Sequence, residues 1–307
     1  MLSNPMDVLE QFPVRKSKKQ KQAFRDAAQA YAENLGYAVA VEKGSMGAQN
    51  IVIGEPEKAK YLVTAHYDTP ARMFFPNFIT PCNFLVYLAY QLLVVGMLLI
   101  ISFAAAIAVE KLLDAPELGL LVWYIVYFGI LLLMMFGRAN KNNYNDNTSG
   151  VVTVLEIARS LPENQRSKVC FVLFDLEEAG LIGSAAYRKA HKASTEKQIV
   201  LNLDCVGDGT DIMMFPNKKL KQNSSEMDRL GKICGKIGEK SLKLHRKGFC
   251  VCPSDQKNFP LGVGIMAFNR MKVIGLYCDR IHTNRDTILD QTNVNILRAA
   301  LITLISQ

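Results

Sequence analysis

Between Arg72 and Glu110 the chain carries no charged residue, and from Phe84 to Val109 nearly every side chain is aliphatic or aromatic. At about 1.5 Å per residue that stretch makes a helix roughly 39 Å long, more than the ~30 Å hydrocarbon core of a bilayer. A second charge-free run, Leu118 to Gly137, spans about 30 Å by the same rule. The link EKLLDAPE between them has turn character at Asp114, Ala115 and Pro116. Two spans and a tight turn predict a membrane-inserting helical hairpin, with a lipid bilayer as partner. The plainer reading is a pair of core helices, apolar on every face, in a soluble domain. Two adjacent runs of this length without a charge argue against it. Small residues at helical spacing, Ser102 with Ala106 and Ala104 with Ala108, offer a close-packing face. Packing within one hairpin is the simpler use of that face, and a homo-oligomer through the hairpin is the other.

The hairpin interrupts a chain that otherwise alternates between strand and helix patterns. Ser17 to Leu35 places Phe24, Ala28, Tyr31 and Leu35 at helical spacing among lysines and glutamines, with Gly36 as the stop. Strand-like runs follow at Tyr37 to Val41, Asn50 to Ile53 and Tyr61 to Ala65, the last nearly continuous in apolar residues, as buried central strands are. After the hairpin the reading is a helix from Gly150 to Leu161, a strand from Val169 to Phe174, a helix from Leu181 to Lys192 and a strand from Ile199 to Leu203. It continues with a strand from Ile212 to Phe215, a helix from Ser225 to Glu239, a strand from Ile265 to Phe268 and a closing helix from Val294 to Ser306. This alternation predicts an α/β sandwich with a mixed or largely parallel central sheet flanked by helices. One catalytic domain, residues 1–72 and 138–307, is therefore expected around an inserted hairpin, 73–137.

Composition removes some function classes. The net charge of +8 is spread along the chain rather than gathered into a nucleic-acid-reading motif, so no nucleic-acid partner is expected. Seven cysteines without regular spacing read as free thiols in a reducing compartment, and Cys250 with Cys252 lacks the second pair of a zinc ribbon. The first residues contain no apolar core of a secretory signal, so what precedes the hairpin is expected in the cytoplasm.

Five clusters sit at strand ends or in loops, where open α/β sheets place their ligands. They are HYD (His66 to Asp68), NDNTSG (Asn145 to Gly150), FDLEEAGLIGS (Phe174 to Ser184), NLDCVG (Asn202 to Gly207) and RIHTNRDT (Arg280 to Thr287). Taken singly each has a bland reading: a hydrogen-bonded surface acid, or carboxylates favoured at a helix start. Together they supply imidazole and carboxylate, the donor set of a catalytic zinc that keeps a position open for water.

In this order the clusters resemble the dizinc aminopeptidase family that includes bacterial leucyl aminopeptidases and, more distantly, glutamate carboxypeptidase and glutaminyl cyclase. The likeness covers the chain from about Ser17 onward, hairpin excluded, and implies a zinc-exopeptidase-type sandwich holding two zinc ions. It implies that His66 and Asp204 bind one metal, Glu178 and His282 the other, and that Asp146 bridges them. It also implies that Glu177 is the general base and that Asp68 supports His66. The physical logic agrees. An acid two residues beyond a strand-end histidine points the same way and can fix its tautomer. Paired metals need one carboxylate spanning both, and they acidify a bridging water while polarising the scissile carbonyl. Adjacent glutamates at a turn point in different directions, leaving Glu177 free to take a proton. Gly180 and Gly183 let the loop pass closely into the next helix. The family further implies a cis peptide bond after the bridging aspartate, here Asp146 to Asn147.

The chain departs from the pattern at three places. Asn142, Asn143 and Tyr144 replace a Pro-Gly-Ala lead-in to the bridging aspartate, Gln256 stands where Ser-Asp is usually followed by His, and Val251 matches the position of a tyrosine that assists the carbonyl oxygen. The expected activity is hydrolysis of N-terminal amide bonds of peptides, including hydrophobic ones, by a membrane-anchored metallopeptidase. Other amide hydrolases of this fold (dipeptidase, carboxypeptidase or N-acyl amino acid hydrolase) are the alternative, and a non-catalytic membrane receptor or scaffold is the reading from another class. Arg72, Arg138 and Lys141 flank the catalytic side of the hairpin, whereas the link carries only Lys111 with three acids. A multi-pass protein of the cell membrane with its catalytic domain in the cytoplasm is expected.

Overall fold

Alternate residues of the central strands belong to two different apolar layers. Val63, Leu173 and Leu201 join the larger core, while Leu62, Val172 and Val200 join a second cluster with Phe174, Tyr187 and Phe259. A strand buried on both faces needs an apolar side chain at every position, and for that reason these runs read as continuous rather than alternating. The computed structural model describes residues 2–307. Its ten strands are β1 (Val39–Lys43), β2 (Gln49–Ile53), β3 (Tyr61–His66), β4 (Val169–Phe174), β5 (Ile199–Leu203), β6 (Asp211–Pro216), β7 (Gly235–Ile237), β8 (Lys240–Leu244), β9 (Gly262–Met271) and β10 (Gly275–Tyr277). They form one mixed sheet in the order β1-β2-β4-β3-β5-β9-β6-β8-β7, with β10 paired to β9. The central β4, β3, β5 and β9 run parallel to one another. Their carboxyl ends therefore share one edge.

The helices are α1 (Asp7–Gln11), α2 (Lys18–Asn34), α3 (Phe84–Leu113), α4 (Pro116–Phe136), α5 (Gly150–Ser160), α6 (Ile182–Ala190), α7 (Lys192–Thr195), α8 (Lys218–Lys221), α9 (Ser224–Lys232) and α10 (Gln291–Ser306). Helix α2 starts where Ser17 and Gln20 cap each other reciprocally, which satisfies two otherwise free N–H groups. Its buried face carries Phe24, Ala28, Tyr31 and Ala32. Helices α2, α5 and α10 bury their apolar faces in the larger core, and α6 covers the opposite face through Tyr187.

The helix expected from Ser225 to Glu239 is shorter: α9 ends at Lys232, and residues 235–244 form the β7–β8 hairpin. Ile237 pairs with Lys240, leaving Gly238 and Glu239 as a two-residue turn with Gly238 at φ +60°. A glycine at positive φ favours this hairpin turn over a further helical turn.

Helices α3 and α4 pack on each other and project most of their apolar surface outward. Only Val94, Leu98, Ser102 and Ala106 of α3, four residues apart, and Gly119 of α4 are buried. Gly119 faces the Ala106 carbonyl and Glu110, where an added Cβ would make ordinary contacts of 3.4 Å. The small-residue face of Ser102 and Ala106 is thus used inside the hairpin, whereas Ala104 and Ala108 face outward. Asp114 takes a left-handed turn (φ +50°), and Pro116 opens α4 at its first position, where its missing N–H costs nothing. At the neck, Arg72 N–H donates to the Arg138 carbonyl (2.7 Å) and Asn140 N–H to the Pro70 carbonyl (2.9 Å). Residues 73–83 do not leave the globular part at once. Met73 and Asn77 donate to the carbonyls of His282 and Ile281, and Ile79 and Cys278 exchange two hydrogen bonds.

Candidate metal centre

Three neighbouring strands end together and deliver the chemistry. In register, His66 at the end of β3 lies opposite Phe174 at the end of β4, just before Glu177 and Glu178, and β5 ends one residue before Asp204. Asp146 comes from the irregular turn that leads into α5, with a cis peptide to Asn147 as expected. His282 comes from the loop between β10 and α10.

Asp146 stands between the two histidines: its Oδ1 is 3.3 Å from His66 Nε2 and its Oδ2 is 3.1 Å from His282 Nε2. Asp204 Oδ1 lies 3.7 Å from His66 Nε2, and Glu178 Oε2 lies 3.6 Å from His282 Nε2. Donors at the corners of a zinc tetrahedron, with bonds of about 2.0–2.1 Å, would be about 3.3 to 3.4 Å apart. The four spacings bracket that value. His66, Asp146 and Glu178 converge within 4.8 Å of one another, as do His66, Glu177 and Asp204. Cys205 also reaches the cluster, but its thiol points at Asp204 Oδ1 (3.1 Å), and burial with Asp146 and Asp204 nearby pushes it well above the ordinary thiol range.

The electrostatics ask for a cation. Burial raises the Glu177 carboxyl far above the usual range, and Glu178, Asp255 and Asp204 add to the effect against the opposing His66. Burial and then Asp146 do the same to Glu178. Burial alone would lower His66, yet the surrounding Glu177, Asp146, Asp204 and Asp68 raise it well above its ordinary value. Asp146 is instead held well below the carboxylate range: burial opposes ionisation, but His282 and His66 outweigh it. Glu178 Oε1, the oxygen beside the one that faces His282, and His282 Nδ1, the ring nitrogen that does not face Asp146, are buried without a hydrogen-bond partner. Unpaired buried charge is costly and divalent metal relieves it, so the residues present fit a metal pair.

The surrounding shell is built for position. Asp68 Oδ1 and Oδ2 accept from the backbone N–H groups of Glu177 (3.0 Å) and Glu178 (3.2 Å), and Oδ1 lies 3.5 Å from His66 Nδ1. Asp286 accepts from the N–H groups of Asn145 and Asp146, and burial followed by the nearby Asp146 pushes its carboxyl up to about 7. Asn147 Oδ1 accepts from Gly150 and Cys205 N–H, tying the Asp146 turn to the end of β5. Leu176, Cys205 and His282, each beside or within the donor set, hold left-handed φ of +56°, +54° and +63°, conformations that side-chain-bearing residues sustain only where the surroundings enforce them. At Gly183 a Cβ would come within 2.1 Å of the Asp175 carbonyl, so the approach of α6 to the end of β4 requires glycine.

The departures from the family pattern have structural employment. Asn143 Oδ1 accepts from Thr148 and Arg15, and Gln256 accepts from Asn202 and donates to the Cys252 carbonyl. Val251 is tied by its N–H to the Pro81 carbonyl, beside the start of α3. Asp255 is fully buried, neither of its oxygens has a partner, and burial pushes its carboxyl up to about 7. The role of Asp286 was open to sequence reasoning only as a letter in RIHTNRDT. That of Arg15, which donates to the carbonyls of Tyr67 and Phe12 from a fully buried position, left no signal in a basic segment. Above the donors opens a cleft of about 240 Å³ whose apolar wall includes Ile79, Met135, Met266 and Ile281. Ile79 and Met135 come from the two ends of the hairpin. A larger groove of about 870 Å³ runs along β8 and shares no residue with this cleft.

A sheet whose carboxyl edge gathers two imidazoles with a carboxylate between them defines a metal-dependent hydrolase of the α/β sandwich class. The chain belongs to peptidase family M28, whose sequence profile matches residues 138–304. It is an M28-family metallohydrolase. No curated protein matches it significantly. Among solved structures, it is similar to a glutaminyl cyclase of Porphyromonas gingivalis (17% identity, covering 98% of this chain and 95% of that one, TM-score 0.60). A Zn-dependent exopeptidase from Parabacteroides distasonis aligns at 13% identity over 99% and 95% of the two chains, TM-score 0.61. A leucine aminopeptidase precursor from Bacteroides thetaiotaomicron aligns at 16% identity over 98% and 94%, TM-score 0.59. At these identities the likeness shows the fold.

Proposed function

We propose that this chain is a membrane-anchored, dizinc aminopeptidase-type hydrolase. The observation that carries the reading is Asp146, whose two oxygens face His66 and His282 from opposite sides while Glu177 stays outside that chain of contacts. His66 and Asp204 would hold one zinc and His282 and Glu178 the other, with Asp146 shared between them. Such a pair, when bound, polarises the scissile carbonyl and makes water acidic enough to attack near neutral pH. Glu177 takes the proton from the attacking water and returns it to the leaving amine nitrogen, so the carboxylate is regenerated each cycle. Asp68 holds the Glu177–Glu178 turn and orients His66, leaving Nε2 toward the metal side.

The membrane reading is supported by the outward apolar faces of α3 and α4, which at 30 and 21 residues reach about 45 and 32 Å. A core-helix reading would bury them, and they are largely exposed. The test is a panel of aminoacyl, dipeptide and N-acyl amino acid amides presented to the full chain in detergent, with and without chelator, alongside metal analysis. About two zinc ions per chain and chelator-sensitive release of N-terminal residues are expected. Turnover confined to N-acyl or C-terminal amides moves the chain to the other amide hydrolases, and absence of metal and of turnover leaves a binding scaffold.

A further inference from the structure

Two loops of the catalytic domain are pinned to the point where the chain enters α3. Val251 N–H donates to the Pro81 carbonyl (2.8 Å), and Asn83 Nδ2 donates to the Ile274 carbonyl (3.2 Å). The Phe249 ring meets the ring of Phe84, the first residue of α3, edge-on at 5.4 Å. One loop spans residues 245–251, and the other is the turn between β9 and β10.

Both loops display apolar side chains to solvent. Phe249 is 67% exposed and Val273 86%, with Met271 beside it at 47%, while Phe74, on the segment that leads into α3, is fully exposed. Neither the segments 245–252 and 269–278 nor the lead-in 72–83 contains an acid, and together they carry Arg72, Arg246, Lys247, Arg270 and Lys272. Arg246 and Arg270 are engaged with Asp228 and Asp211, but Arg72, Lys247 and Lys272 make no ion pair among the described residues. Exposed aromatic and aliphatic tips interleaved with free bases and no acids match a surface carrying anionic headgroups, which takes the bases, above hydrocarbon, which takes the tips. The level is also set. Pro81 and Asn83 immediately precede the span, so groups hydrogen-bonded to them stand at the headgroup layer of any bilayer that α3 crosses.

We propose that the 245–251 loop and the β9–β10 turn dip into the headgroup layer of an anionic leaflet through Phe249, Met271 and Val273, so that the catalytic domain sits directly on the membrane. This rests on the reading of α3 and α4 as spans. It has a consequence for the site, because Asn77 and Ile79, on the same lead-in segment as Phe74, line the catalytic cleft. The mouth of the cleft then abuts the bilayer.

The single tryptophan, Trp123, lies in α4, and it separates the two ideas in one experiment. The full chain is reconstituted into phosphatidylcholine vesicles with or without phosphatidylglycerol, using lipids brominated either near the top of the acyl chain or deep within it. Quenching of Trp123 reports the span. In Trp123→Phe/Phe249→Trp and Trp123→Phe/Val273→Trp, the new indole should lose most of its emission to shallow bromine and little to deep bromine. Phosphatidylglycerol should strengthen that loss, and Lys247→Glu/Lys272→Glu should weaken it. Retained zinc content verifies that each variant is folded. If Trp123 is quenched while indoles at 249 and 273 stay bright and open to aqueous iodide, the seating is overturned and the span stands. If Trp123 itself is not quenched, both fail.

Discussion

Glu177 and Glu178 are chemically identical neighbours, and the structure gives them different surroundings. Glu178 faces His282, while Glu177 reaches toward the His66 and Asp204 side without entering a contact that Asp146 bridges. Glu177→Gln should therefore cut turnover by about 10² to 10⁴-fold, the usual worth of a positioned base, with zinc content unchanged. Glu178→Gln and His282→Ala should lower metal occupancy as well, and metal analysis of the purified variants separates the two effects. Asp68 acts through others. Asp68→Ala keeps the backbone carbonyl 3.2 Å from His66 Nδ1 but removes the carboxylate at 3.5 Å, and should weaken metal binding by about 10-fold, the lower end of what loss of a ligand's supporting group costs, which competition against a graded chelator would measure. Unchanged affinity would limit Asp68 to holding the Glu177 turn. As candidates these residues were legible in the sequence because their positions, just after strands or in the loop before α10, and their order carry the information. Asp286 and Arg15 were not, since each acts on backbone atoms brought close only by folding, and backbone partners leave no trace in residue type.

At the scale of elements, the central strands and α2 could be read from the sequence because burial dictates their patterns locally. Burial on two faces gives unbroken apolar runs, and burial on one face of a helix gives the Phe24, Ala28, Tyr31 spacing. The β7–β8 hairpin could not. Its residues are mostly exposed, so no periodicity separates a charged edge strand from a charged helix, and the turn at Gly238 decides. The hairpin α3–α4 was visible as an insertion, but not its share in the cleft. Met135, near the end of α4, joins the wall above the donors, and its carbonyl accepts from Lys16 Nζ at 3.0 Å. A truncation that tests whether the hairpin serves substrate access must therefore keep 73–83 and 135–137 and replace only 84–134 with a soluble linker. If the bilayer concentrates apolar substrates at the cleft, the truncated chain in vesicle suspension should keep its kcat/KM for soluble peptides and lose it selectively for hydrophobic ones. Equal loss for both, or loss for neither, would make the hairpin an anchor only.

For the molecule as a whole, the proposed reading of α3 and α4 as spans makes a prediction about which side of a membrane holds the chemistry. The neck hydrogen bonds between residues 70–72 and 138–140 bring both ends of the hairpin to one place, so with α3 and α4 as spans the catalytic domain would lie wholly on one side and the α3–α4 link on the other. Orientation follows the basic residues near span ends. Arg72, Arg138 and Lys141 stand at the catalytic end, joined by Lys16 and the exposed Lys18 and Lys19 of α2. The link offers Lys111 alone among Glu110, Asp114 and Glu117. A cytoplasmic catalytic domain is the orientation this asymmetry favours, and the free thiols on the catalytic side, including exposed Cys82, suit a reducing compartment. With Cys82 replaced by serine, a cysteine at Ala115 should react with a membrane-impermeant maleimide in intact cells. A cysteine at exposed Met46 should react only after the membrane is broken. The opposite pattern would put the active site on the outer face, where the charge bias would have to be outweighed by the way the large domain is translocated, and the proposed substrates would be extracellular.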